Sequence, residues 1–191
     1  FSLTVNNLAR ETKLVSDGFS STSGAVTQGT IVIVAGGTSA TITIDSSNDT
    51  VAGLRLAINN SGLNVKATFL NDGSSTNPLR LVLSGTQTGS DSSVSVTGSI
   101  VSFSETQSAQ NANFTLDGVS ITKSNNTVTD VITGTIVTLE SAGSGTITLS
   151  SDTDTIKENI QSYVDGFNEL MVHLKDVLSL NADTGETSVL F

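Results

Sequence analysis

Cysteine and tryptophan are absent from this 191-residue chain, and proline, tyrosine, histidine and methionine occur once each. Without cysteine there are no disulfides and no thiolate metal site, a composition compatible with export in an unfolded state and equally with a cytosolic protein. Basic residues are also scarce: eight Lys and Arg stand against eighteen Asp and Glu, for a net charge of -10. With no basic cluster and almost no stacking aromatics, nucleic-acid binding lacks both its electrostatic term and its base platform. The same charge disfavours anionic membrane surfaces, and no run approaches the ~18 apolar residues of a membrane span. Arg10, Glu11, Lys13 and Asp17 interrupt the N-terminal stretch where the apolar core of a signal peptide would lie. The start on Phe1 rather than Met suggests a fragment.

Catalytic and ligand-binding patterns are equally sparse. His173, the one histidine, would have to serve any triad or metal cluster alone, and its place on a helix flank fits a surface residue better. There is no G-x-S-x-G elbow and no Gly-Lys of a phosphate loop. Gly143-Ser144-Gly145 lacks the third glycine and the following helix of a dinucleotide site, so it reads as a hairpin turn. Asp152-Thr153-Asp154 starts like a calcium loop but runs into Ile156 where a ligand should follow. Four sequons, beginning at Asn48, Asn59, Asn113 and Asn125, are expected by chance in a chain so rich in Asn, Ser and Thr. The expectation is a non-enzyme with no catalytic residue, cofactor or metal.

What is present is strand and turn chemistry. Phe1 to Phe19 reads as one long or bulged strand, with helix as the alternative over Leu8 to Val15. A Ser/Thr/Gly connection follows over 18–29. Thr30 to Val34 and Thr41 to Ile44 flank Gly36-Gly37 as a hairpin. Thr50 and its neighbours cap a helix with Val51, Leu54 and Ile58 on one face, and Gly62 stands where a C′ glycine belongs. Val65 to Phe69 and Leu79 to Leu83 form a second hairpin, and Val94 to Val96 closes this stretch. Residues 104–111 are polar and aperiodic. Phe114 to Ile121 then alternates around Asp117-Gly118, the form of a type I′ hairpin. Further strand-length runs are Val128 to Ile132, Ile136 to Leu139 and Thr146 to Leu149. Residues 1–22 cannot bury enough surface alone, so a nested arrangement is expected: an outer antiparallel β domain (1–22 plus 105–151) with an inserted α+β domain (23–104). Two sequential domains, with the first strand beside Thr30 to Val34, are the alternative. The fold class is α+β, mainly β.

A long helix is expected from Thr155 to about Leu180, opened by a Thr155/Glu158 capping box with Asp152 and Asp154 at the positive end of its dipole. Ile156, Ile160, Tyr163, Phe167, Leu170, Leu174 and Val177 recur at alternating spacings of four and three, and Val164, Met171 and Leu178 widen the stripe. This is the face of a bundle helix, and no second heptad segment exists here to cover it. Partner helices from outside the chain are favoured over packing on the chain's own sheets.

Several of these features are shared with one family. The series Asp117-Gly118, Asn126, Asp130, Gly134 and Leu139 resembles the pattern that opens the C-terminal part of the bacterial flagellar filament cap proteins, the hook-associated protein 2 family. Ser2 to Ala9 resembles that family's strand ending in Leu-Ala, and Ser162 to Leu170 its aromatic-Asn-x-Leu helix. Ile42 to Val96, around Ala57-Ile58-Asn59, is similar to the insert of flagellins and flagellar cap proteins. The resemblance implies that residues 152–191 begin a helical leg domain built from both termini. It also implies a ring-shaped homo-oligomer, extracellular at the flagellar tip, that retains exported flagellin and promotes its polymerisation, with flagellin and a host surface as partners. A surface adhesin or carbohydrate-binding β module is the alternative, weakened by the scarcity of aromatics.

Overall fold

The computed structural model describes residues 1–150 and 153–178, in a first unit of residues 1–147 and a second that begins at Thr148. The chain is mainly β with two α-helices among the described residues. Its opening is not one strand. Strand β1 (Ser2–Asn7) and β2 (Lys13–Phe19) are separate, and neither includes the helix considered over Leu8 to Val15. Alternation fails between them because Ala9 and Thr12 are both buried, three residues apart, where the chain crosses from one sheet to another.

The inserted part closes around one core. β3 (Gly29–Ala35) and β4 (Thr38–Ile44) form a hairpin whose central residues, Gly36 and Gly37, have φ of 55° and 78°. Positive φ at both positions is what a type I′ turn demands. Helix α1 (Val51–Asn59) is capped by Thr50, whose hydroxyl accepts from the Gly53 N–H, and it buries Val51, Leu54 and Ile58. Gly62 has positive φ but lies two residues beyond the terminal cap Asn60, one later than its sequence position suggested. β5 (Val65–Asn71) and β6 (Leu79–Gly85) form the second hairpin. β7 (Val94–Gly98) joins β3, and β8 (Phe103–Gln107) joins β2. Two antiparallel sheets result, ordered β5-β6-β2-β8 and β4-β3-β7. Ile31, Ile33, Leu54, Ile58, Leu81 and Leu83 form the fully buried centre of this core.

The outer part is built on β1. β9 (Ala112–Leu116) and β10 (Val119–Lys123) turn through Asp117 and Gly118, at φ of 47° and 81°. The two-residue strands β11 (Thr127–Val128) and β12 (Val137–Thr138) pair with each other, and β13 (Gly143–Thr146) lies on the free side of β1. The sheet order is β10-β9-β1-β13. Phe114, Val5, Leu116, Val128, Ile132 and Leu139 supply its core. β1 therefore pairs with the late strands rather than with Thr30 to Val34.

Three further expectations are corrected. Of residues 1–22 only β1 joins the outer sheet; β2 pairs with β6 and β8 because Leu14 packs into the inserted core. Residues 104–107, read as part of an aperiodic boundary, belong to β8, which pairs with β2 and packs only Phe103 against the inserted core. Gly143 to Gly145, read as a turn, is an exposed edge strand, and the strand placed at Thr146 to Leu149 ends at Thr146.

Helix α2 (Thr153–Leu178) starts two residues before Thr155, which is therefore its third residue and not a cap. Asp152 and the expected last turn beyond Leu178 lie outside the described residues. No described helix is long and apolar enough to cross a membrane.

Candidate functional site

At about 1.5 Å rise per residue, the 26 residues of α2 extend ~39 Å. Ile156, Ile160, Tyr163, Phe167, Leu170 and Leu174 recur along this helix and are all exposed, from 37% for Leu174 to 75% for Tyr163. Val164 and Met171 flank them and are exposed as well. Val177 closes the seam in sequence, but its side chain lies outside the described residues. The helix carries Asp154 in its first turn and Lys175 in its last, the signs that suit its dipole. On another face Gln161 donates to the Asp165 carboxylate at 2.9 Å, a contact one turn apart.

Covering one such apolar side chain stabilises by roughly 1.5–3 kcal/mol. A helix of this length gains little from propensity alone, so the seam is its main source of stability once covered. Its chemistry is that of packing: His173 lies on the same helix, and among the described residues no group of His, Asp and Glu is arranged to hold a metal ion.

The displaced carboxylates elsewhere serve turns. Asp72 accepts from the Ser74 N–H at 2.9 Å and from Arg80 Nε at 2.7 Å, which hold its pKa down at about 2, the Ser74 bonds being the larger cause. Asp45 is lowered by the Ser47 hydroxyl and N–H, and Asp130 chiefly by Lys123. Each bond favours the charged form.

The sequon asparagines have structural employment that their motif did not reveal. Asn59 accepts from the Ala67 N–H at 2.7 Å and donates to the Ala67 carbonyl at 3.0 Å. Asn48 accepts from the Asp45 N–H and donates to the Thr43 carbonyl. Asn113 accepts from the Thr122 hydroxyl at 2.8 Å. Asn125 Oδ1 accepts from the Thr88 hydroxyl at 3.3 Å, and its neighbour Asn126, the middle residue of that sequon, brackets Ala9 in the two-bond manner of Asn59, at 2.7 and 3.0 Å. The available sequence signal was compositional: little charge and much amide.

The pattern of two β cores and a seamed helix has counterparts. Residues 109–189 match the model of the flagellar hook-associated protein 2 C-terminus. The B-type flagellar hook-associated protein 2 of Pseudomonas aeruginosa is 32% identical over 89% of this chain and 42% of its own length. The chain belongs to the flagellar hook-associated protein 2 family. Among solved structures, the flagellar cap protein FliD of Escherichia coli, its D1-D2-D3 domains, superposes with a TM-score of 0.79 at 26% identity, over 92% of this chain and 58% of that one. FliD from Pseudomonas aeruginosa gives a TM-score of 0.72 at 29% identity, over 98% and 93%. The chain spans about two fifths of the length of the first curated relatives, 42% and 37%. The matched C-terminal region takes in β9 to β13 and α2, so the exposed seam and every strand of the outer sheet except β1 fall within one family segment.

Proposed function

We propose that this chain is part of a structural cap at the distal end of the bacterial flagellar filament. In that role a ring of copies retains exported flagellin and promotes its polymerisation. The β unit of residues 1–147 is the body, and α2 is one member of a helical leg completed by further helices. The observation that carries the reading is the uncovered seam from Ile156 to Leu174 in a family whose relatives are named for the flagellar cap and hook. A face covering about three sevenths of a helix needs more than one partner helix, as an assembly subunit would supply.

Electron microscopy of flagella labelled through residues 23–104 tests location. Label confined to filament tips is expected; label along filament sides or on the cell body would refute a cap.

A further inference from the structure

The loop between β6 and β7, residues 86–92, reaches out of the inserted core and onto the outer one. Thr88 Oγ1 donates to the Ser124 carbonyl at 2.6 Å, and the Gly89 N–H donates to the Arg10 carbonyl at 3.2 Å. The Ser90 N–H donates to Asn111 Oδ1 at 3.0 Å. Ser124 and Asn111 belong to the outer part, whereas Thr88, Gly89 and Ser90 belong to the insert. Gly89 has φ of 101°, and a Cβ there would lie 2.7 Å from Ser124 Cβ, so the close approach needs glycine.

The two covalent crossings between the cores are also tied together. Arg10 and Gln110 exchange both backbone hydrogen bonds, at 2.9 and 3.1 Å. Gln110 Nε2 donates to the Leu8 carbonyl at 2.8 Å, and Asn7 Nδ2 to the Asn111 carbonyl at 2.7 Å. Asn126 then brackets Ala9, its Oδ1 accepting from the Ala9 N–H and its Nδ2 donating to the Ala9 carbonyl. Two parallel crossings alone form a hinge, free to bend about the line that joins them. A third attachment, through Thr88, Gly89 and Ser90, more than twenty residues from Asn111 and more than seventy from Arg10, removes that freedom.

We propose that residues 86–92 are a latch that locks the inserted core to the outer sheet in one orientation, with Gly89 permitting closure and Asn126 clasping the crossing. This goes beyond the cap reading and does not depend on it. It gives the β unit the mechanics of one rigid body although it has two separate hydrophobic cores.

The cysteine-free chain lends itself to a distance measurement. Spin labels on Ser39→Cys in β4 and Ser120→Cys in β10, both exposed positions, report the inter-core distance by double electron–electron resonance. With the latch intact, a single narrow distribution is expected. Gly89→Ala, alone and with Asn126→Ala, is expected to broaden or shift it while circular dichroism retains the β signal. Should Gly89→Ala fail to fold, Thr88→Val keeps the side-chain shape, removes the bond to Ser124, and is expected to broaden the distribution in the same direction. A broad distribution in the unaltered chain would overturn the latch. So would an unchanged narrow one in folded Gly89→Ala/Asn126→Ala or, where those variants do not fold, in Thr88→Val.

Discussion

An asparagine amide sets an N–H donor beside a carbonyl acceptor at nearly the spacing of a peptide group, so it can pair with a strand residue as a neighbouring strand would. Asn59 does this on the free side of the edge strand β5, satisfying Ala67 and leaving less open backbone for another chain to pair with. Asn59→Ala should therefore cost about 1–3 kcal/mol in urea unfolding, because both Ala67 groups lose their partner. Asn59→Asp should cost more, since a carboxylate would face the Ala67 carbonyl; equal or smaller cost for Asp would show that the donor bond contributes nothing. Asp72 gives a pH prediction. Its pKa is lowered in the folded chain to about 2, so its contribution is present above the ordinary carboxylate value near 4 and is lost as pH falls toward 2. Asp72→Asn should be less stable than the parent at pH 6, and the gap in urea midpoint should close between about pH 4 and pH 2.

Among the elements, those with a buried face were legible in the sequence. The hairpins at Gly36-Gly37 and Asp117-Gly118 announce themselves through residues that tolerate positive φ between alternating apolar positions. α1 is legible because Val51, Leu54 and Ile58 all point into one core. β8 and β13 escaped because β8 packs only Phe103 against a core and β13 buries nothing, so no alternation marks them and backbone pairing largely defines them. The change of sheet between β1 and β2 escaped for the opposite reason: both strands alternate, and periodicity does not say to which partner a strand belongs. The spacing along α2 was readable, whereas the latch was not, because the Thr88 hydroxyl and the Ser90 N–H find partners at Ser124 and Asn111 that lie far away in sequence and leave no periodic trace. Hydrogen exchange tests what the uncovered seam implies. Amides from Phe167 to Leu174 should exchange much faster than those of Ile31 and Ile33 in β3, and adding the terminal segments of a longer chain should slow them. Equal protection in the chain alone would mean that the seam is already covered.

At the scale of the whole molecule, the question is whether that seam suffices to assemble copies of this chain. Between residues 153 and 178 five acidic residues stand against two basic ones, and the full chain carries -10, so two copies brought together helix to helix repel. A wide stripe on one helix also leaves part of itself wet in a two-helix pair, which reduces the burial that a dimer could gain. We therefore expect a monomer or weak oligomer at micromolar concentration, with association strengthened by salt as the repulsion is screened. Sedimentation equilibrium over a concentration series at low and high salt measures both. Leu170→Asp with Leu174→Asp should abolish the weak association and leave the melting of the β unit unchanged, because that unit's two cores are formed within residues 1–147. In a chain extended to the length of its relatives, the same pair of substitutions should prevent assembly. A tight oligomer independent of concentration, or loss of the β unit's fold in the double variant, would show that the seam is buried within the chain or its own dimer rather than kept for further helices.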